Sequence, residues 1–316
     1  MIAGIVFALA ALATWVATPV VMRVARQWGA VDVPDEGRHR HRLPTAKLGG
    51  LALALGFLTA LAGSLVLPVE RDDPAEITRV LGLLVGLAIV LVVGVYDDRH
   101  ELRAWPQFLA QLAAAVVVIA FGVRIDSLPT PLGGLDLPEA FAILFTLFWL
   151  MGMMNTVNFL DGLDGLAAGI VAIACAILFV HTQQLGQESV ALLPLALLGA
   201  IAGFLPFNSF PAKIFLGTSG ALFLGLALGT LSIIGGAKVA SALLVIGIPV
   251  LDTAWQIVRR VRDGRAPYHG DRGHLHFRLI DRGWSQPQVV WMLYGLSALF
   301  GGMSLILPSG MPVYSR

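Results

Sequence analysis

The sequence predicts an all-α polytopic membrane protein, a helical bundle of about ten transmembrane helices, and three observations carry that expectation. Of its 316 residues 57% are hydrophobic and only 13% charged, with a mean hydropathy of +0.81. A soluble chain of this size carries roughly a quarter charged residues. Apolar runs long enough to cross a bilayer recur from end to end, and the charged residues are gathered into short segments between them.

A transmembrane helix needs roughly 20 apolar residues. Ten stretches qualify: 1–22, 47–68, 76–95, 105–121, 139–154, 165–182, 190–206, 217–233, 238–258 and 288–307. The first has no basic residue ahead of it and nine runs behind it, so it reads as a retained helix and not as a cleaved leader. The eighth has the least defined start, because Pro211 and Gly217 interrupt it. The chain stops soon after the tenth, which leaves room for an eleventh helix in a longer protein. Small-residue pairs at Gly82/Gly86, Gly199/Gly203 and Gly225/Gly229 predict close helix packing. The single cysteine, Cys175, lies in an apolar run and reads as a small buried hydrophobe with no intrachain disulfide.

Orientation follows from the lysines and arginines. Segments 23–47, 96–104, 207–216 and 259–287 share one face with 155–164 and hold sixteen of the twenty-one basic residues. That face is expected to be cytoplasmic, with both termini outside. The chain reads as one domain, 1–316, with working loops at 23–47, 96–104, 155–164, 207–220 and 259–287. No internal repeat of the kind seen in many transporters is visible, and the ionisable residues cluster at one face and not at mid-membrane depth.

The densest polar stretch is Asn155-Thr-Val-Asn158-Phe-Leu-Asp161-Gly162-Leu163-Asp164-Gly165 between two apolar runs. Amides and carboxylates are costly at a membrane helix end unless they meet water, a partner or an ion. Asp97 and Asp98 close the third span, where the negative end of the helix dipole and mutual repulsion both disfavour them. A divalent cation or a shared proton would resolve that cost. Lys213 followed by Gly-Thr-Ser-Gly220 opens a helix with N–H groups and hydroxyls suited to phosphate. The last loop holds Arg259, Arg260 and Arg262, which read most simply as topology determinants, then Arg272, His274 and His276, which suit a pyrophosphate pocket better than zinc. Arg38 to Gly50 reads by itself as a positive-inside loop.

In this order, the motifs Pro44-Thr-Ala-Lys47-Leu-Gly-Gly50, Asp97-Asp98, Asn155 to Ala167, Phe207 to Gly217 and the His274-Leu-His276 loop resemble the polyprenyl-phosphate N-acetylhexosamine-1-phosphate transferases, glycosyltransferase family 4. The resemblance spans nearly the whole chain. The histidine loop is more similar to the branch that uses UDP-GlcNAc than to the MurNAc-pentapeptide translocases. It implies transfer of GlcNAc-1-phosphate from UDP-GlcNAc to undecaprenyl or decaprenyl phosphate with release of UMP. That would be the first membrane step of an envelope polysaccharide pathway, in a bacterial cytoplasmic membrane. The cofactor implied is Mg²⁺, or Mn²⁺ in its place. The partners implied are the UDP-sugar, polyprenyl phosphate and membrane lipid, with no nucleic acid and room for a homodimer.

By that resemblance Asp97 deprotonates or orients the lipid phosphate, Asp98 stands near the metal, and Asp161 supports the metal geometry. Gly162, Leu163, Asp164, Asn208 and Phe215 form the uridine pocket, with Asn158 on the substrate side. Lys47, Arg272, His274 and His276 contact diphosphate or sugar. Two positions depart from the family pattern. Thr218 stands where a metal-binding Asp is usual, and Phe277 where a further His is usual. Three expectations compete: an altered inactive copy, a non-catalytic relative that binds UDP-sugar or polyprenyl phosphate, or an enzyme whose metal is held by Asp97, Asp98 and Asp161. Asp252 is a further candidate carboxylate. A different UDP-N-acetylhexosamine, such as UDP-MurNAc-pentapeptide, is the alternative donor.

Overall fold

The protein is described by a computed structural model covering residues 1–33, 44–71, 73–130, 133–235, 239–264 and 273–306. Arg272 lies outside these residues, as do Arg38, Arg40 and Arg42. Twelve helices and two short hairpins form among them.

Helix α1 (Ile2–Trp28) ends where Gly29 takes a left-handed conformation, φ 74°, as helix-terminating glycines do. Strands β1 (Val31–Asp32) and β2 (Thr45–Ala46) then pair antiparallel and lead into α2 (Gly49–Val66). Next come α3 (Glu76–His100), α4 (Ala104–Ala120), and a hairpin of β3 (Ser127–Thr130) with β4 (Gly133–Asp136). The chain continues through α5 (Glu139–Leu160), α6 (Leu166–Gln184), α7 (Glu188–Asn208) and α8 (Gly217–Ile234). It finishes with α9 (Val239–Val245), α10 (Gly247–Arg262), α11 (Leu275–Asp281) and α12 (Gln286–Ile306). The protein is thus all-α and crosses the membrane several times.

Eight of these helices are long and apolar enough to cross a membrane, among the described residues. The expected fourth span, α4, is apolar but shorter, with 17 residues. The expected ninth, 238–258, is not straight: α9 and α10 meet at a 78° bend. Gly247 and Pro249 open α10, and the proline lies in the first turn, where a missing N–H costs nothing. The expected end of the fifth span also moves. Helix α5 runs on to Leu160, so Asn155 and Asn158 are helical and only the residues from Asp161 to Gly165 form the turn.

Helix α8 is the central post. Apolar all round, it has 89% of its span inside the protein and packs on α3, α5 and α2, as a helix without a polar face must. Around it α1 lies against α2 and α7, α3 against α4, and α6 against α7 and α12. The three glycine pairs sit at such crossings: Gly82/Gly86 face Phe121 and Val118, Gly199/Gly203 face the α1 backbone, and Gly225/Gly229 face Leu150, Met153 and Met154.

A Cβ on Gly225 would fall 2.6 Å from the Met154 Cα and 2.8 Å from the Met153 carbonyl oxygen, backbone atoms that cannot rotate away. Gly225→Leu is therefore expected to destabilise by about 1–3 kcal/mol or more, the usual cost of overpacking. The check is the aggregation temperature in detergent, with Gly4→Leu as control, since Gly4 has nothing within 4 Å of its would-be Cβ.

Candidate functional site

The site forms where the ends of α3 and α5 meet the start of α8. Asp98, in the last turn of α3 and 5% exposed, accepts hydrogen bonds from the α8 backbone: Thr218 N–H to Oδ1 at 2.7 Å and Ser219 N–H to Oδ2 at 3.2 Å. The Ser219 hydroxyl adds a third, to Oδ2, at 2.6 Å. An acid at the negative end of its own helix is thus compensated by the positive end of another. Gly217, at φ 72°, lets the carboxylate in, since a Cβ there would stand 2.6 Å from both Asp98 oxygens. Asp97 faces elsewhere. Its Oδ1 accepts from the Leu102 N–H and from Gln107 Nε2, both at 2.8 Å.

Asp161 caps α5. Among the described residues no hydrogen-bond donor reaches its carboxylate. Burial, and then the charges of Asp98 and Asp164, push its pKa up to about 8. Without a cation nearby, this carboxyl stays largely protonated at neutral pH. Asp164 turns the other way and accepts the Ala212 N–H at 2.9 Å.

Residues 207–216 form a strap that ties these parts together. On one side it meets Asp164. On the other, Phe215 N–H donates to the Ala46 carbonyl at 2.8 Å, and Gly49 N–H to the Phe215 carbonyl at 3.1 Å. Asn208 closes the strap by donating from Nδ2 to the Ile214 carbonyl at 3.0 Å, while its Oδ1 is buried without a partner. Lys47 is thereby brought to the end of α3. Its Nζ lies 3.0 Å from Asp32 Oδ1 and 3.8 Å from Glu101 Oε1. Phe215 and Leu163 are half-buried at this end of the bundle, as is Asn158.

The third wall is α11. His276 (3% exposed) lies against Gly162, where a Cβ would overlap its ring, so the turn can pass only as glycine. Its Nε2 is buried with no hydrogen-bond partner. Burial first, then the neighbouring His274, lowers its pKa to about 4, against an opposing pull from Asp252. At neutral pH the ring is neutral and can either donate or accept. His274 stacks on it at 5.7 Å and on Phe159 at 5.5 Å.

The structure brings together Asp98, Asp161, Thr218, Gly162 and His276, with Lys47 and Asp97 at the rim. No group of three or more His, Cys, Asp or Glu is arranged to hold a metal ion among the described residues. Ser219 and Arg260 hold roles other than those expected: the Thr218 and Ser219 donors read as suited to phosphate go to Asp98, and Arg260, read as a topology determinant, is buried. Gln107 and Gln256 were not picked out from sequence. A signal for them existed. Gln107 and Gln111 lie four apart in an apolar run, and Gln111 accepts from Asn155 Nδ2 at 2.6 Å. Asp252, Gln256 and Arg260 recur every four residues, which puts them on one face of α10.

Fold and site together define a multi-pass helical membrane protein with acidic and imidazole groups gathered at one end of its bundle. Residues 80–236 match the profile described as Glycosyl transferase family 4. The chain is 32% identical over 316 residues to the probable undecaprenyl-phosphate N-acetylglucosaminyl 1-phosphate transferase of Bacillus subtilis, covering 96% of this chain and 85% of that one. It is 37% identical to the decaprenyl-phosphate N-acetylglucosaminephosphotransferase of Mycobacterium tuberculosis, covering 94% and 81%. To the phospho-N-acetylmuramoyl-pentapeptide-transferase of Staphylococcus aureus it is 29% identical, covering 95% and 98%. The chain belongs to glycosyl transferase family 4 and is a membrane phosphotransferase.

Proposed function

We propose that this protein transfers N-acetylglucosamine 1-phosphate from UDP-GlcNAc to undecaprenyl or decaprenyl phosphate and releases UMP. The observation that carries the reading is the meeting of Asp98 and Asp161, from different helices, at the start of α8. An oxygen of the lipid phosphate attacks the sugar-bearing phosphorus, and the bond from that phosphorus to the UMP oxygen breaks. The lipid diphosphate so formed carries the sugar.

The acidic pair fits Mg²⁺. That ion takes one or two carboxylates and fills its shell with phosphate oxygens and water. Asp161 has a carboxylate without a donor and feels the charge of Asp98, two costs that a cation relieves together. Asp98 and Asp161 would hold it, and Mn²⁺ fits the same oxygen donors. Bound there, it would offset the negative charge of the diphosphate.

Asp97, fixed through Oδ1 by Leu102 and Gln107, keeps its other oxygen to orient or deprotonate the lipid phosphate. Lys47 and His276 flank the diphosphate, and the strap with Asn208 and Phe215 holds uridine beside Gly162, Leu163 and Asp164. Arg272 joins the diphosphate side by resemblance. The excess of basic residues on this face supports a cytoplasmic site in a bacterial inner membrane, within a single domain. A homodimer enters through the family resemblance and is tested by the mass of the detergent-solubilised particle.

Greater identity to the two N-acetylglucosamine transferases than to the N-acetylmuramoyl-pentapeptide transferase favours UDP-GlcNAc. The test supplies purified protein with undecaprenyl phosphate, Mg²⁺ and each radiolabelled donor in turn. GlcNAc-labelled lipid diphosphate is expected, abolished by EDTA, with the pentapeptide donor inert. Faster labelling from the pentapeptide donor would reverse the assignment. A second reading, a binder of UDP-sugar without turnover, is favoured by Thr218, which supplies a hydroxyl where the family motif carries a carboxylate. It requires saturable UDP-sugar binding with no UMP formed.

A further inference from the structure

Both ring nitrogens of His274 are engaged inside the protein. Nδ1 lies 2.8 Å from Asp252 Oδ2, and Nε2 lies 3.4 Å from a guanidinium nitrogen of Arg260. A carboxylate only accepts and a guanidinium only donates, so these partners place the ring hydrogen on Nδ1 and the lone pair on Nε2. The second Asp252 oxygen accepts the Leu275 N–H at 3.0 Å, in the first turn of α11. One turn along α10, Gln256 donates to the Gly273 carbonyl at 2.5 Å. Arg260, only 2% exposed, lies 5.7 Å over the Phe159 ring of α5.

These contacts fix both sides of the entry to α11. A lone topology-setting arginine would point to the membrane surface, whereas Arg260 is inside. Both oxygens of Asp252 accept from the α11 entry, which ties the carboxylate to the start of that helix. His276 follows two residues later, stacked parallel to His274 at an interplanar angle of 9°, with its unpartnered Nε2 at the Gly162 turn.

We propose that Asp252, His274 and Arg260 form a buried positioning unit that sets α11 so that His276, and not His274, meets the substrate beside Asp161. The proposal rests on the transferase reading. It makes Asp252 and Arg260 positioning residues. His274 then serves as the middle member, transmitting the anchorage of α10 to the neighbouring imidazole.

The test combines kinetics with a readout that needs no turnover. Asp252→Asn and His274→Asn are each expected to lower kcat by about 10–100-fold, the usual loss when a partner that orients a working imidazole is removed. UDP affinity, measured by competition binding, should stay within about twofold, since the uridine pocket lies on the strap. Because the residues act as one unit, the double variant should lose no more than either single one. Nitrogen-15 NMR of histidine-labelled protein, with His274 assigned by its loss in His274→Asn, should show Nδ1–H in the parent and a shift toward Nε2–H in Asp252→Asn. Arg260→Lys should restore part of the rate lost in Arg260→Met.

Parental kcat in Asp252→Asn, or losses that multiply in the double variant, would overturn the unit. So would a His274 signal that does not respond to Asp252→Asn. If the parent transfers no sugar phosphate to any donor–lipid pair, the transferase reading fails instead, and the NMR signature still decides whether the unit exists.

Discussion

Asp98→Asn is expected to cut sugar-phosphate transfer by about 10²–10³-fold, the scale of removing one preorganised electrostatic group from a phosphoryl-transfer site, while the protein stays folded. The asparagine carbonyl can still accept from the Thr218 N–H and its NH₂ can donate to the Ser219 hydroxyl, while the longer Ser219 N–H contact is given up, so most of the α3–α8 junction survives. The charge and one weak backbone contact are lost. Asp98→Ala should differ in kind. It leaves the Thr218 and Ser219 N–H groups buried without an acceptor, at about 1–3 kcal/mol each, so both activity and thermal midpoint fall. Measuring UMP release and melting temperature side by side separates the two effects. An Asp98→Asn protein with parental turnover would remove the carboxylate from the chemistry and leave it a helix cap.

Thr218→Asp is expected to tighten Mg²⁺ binding by at least about tenfold, equivalent to roughly 1.4 kcal/mol, and to raise turnover. The position lies in the first turn of α8, which carries no acidic residue and favours one by about 0.3–1 kcal/mol. The new carboxylate would stand beside Asp98, with Asp161 largely protonated while no cation is present, so without a cation the added charge is repelled by Asp98. The same substitution should therefore lower the melting temperature in EDTA and raise it in Mg²⁺. A melting temperature indifferent to Mg²⁺ in Thr218→Asp would place residue 218 away from any cation.

Much of this architecture is legible in the sequence, because hydropathy reports spans directly and glycine spacing reports where helices touch. Gly225 and Gly203 lie where their spacing places them. The sequence also singles out Asp97 and Asp98 as a pair that breaks a helix-end preference, and the structure shows how differently the two are satisfied. What it does not reveal is which loop meets which. Ser219 and Asp98 are far apart in sequence and joined only by the crossing of α3 and α8. The bend before Gly247 is hidden because the apolar run continues through it. Arg260 is hidden for another reason: between Arg259 and Arg262 it resembles a topology signal, and only the four-residue spacing from Asp252 and Gln256 marks the inward face. Asn155 and Asn158 read as a loop because their polarity breaks the apolar run while the helical backbone continues. In fact α5 carries them one turn beyond the apolar run, with Asn155 held by Gln111.

The measurement that bears most directly on the acidic pair is UMP release by the unaltered chain, from UDP-GlcNAc and undecaprenyl phosphate in Mg²⁺, run beside Thr218→Asp. Release that requires both substrates and the cation, slow in the unaltered chain and faster with the added carboxylate, is the predicted result. Binding of UDP-GlcNAc without UMP from either protein would contradict it and leave a nucleotide-sugar binder in a transferase fold.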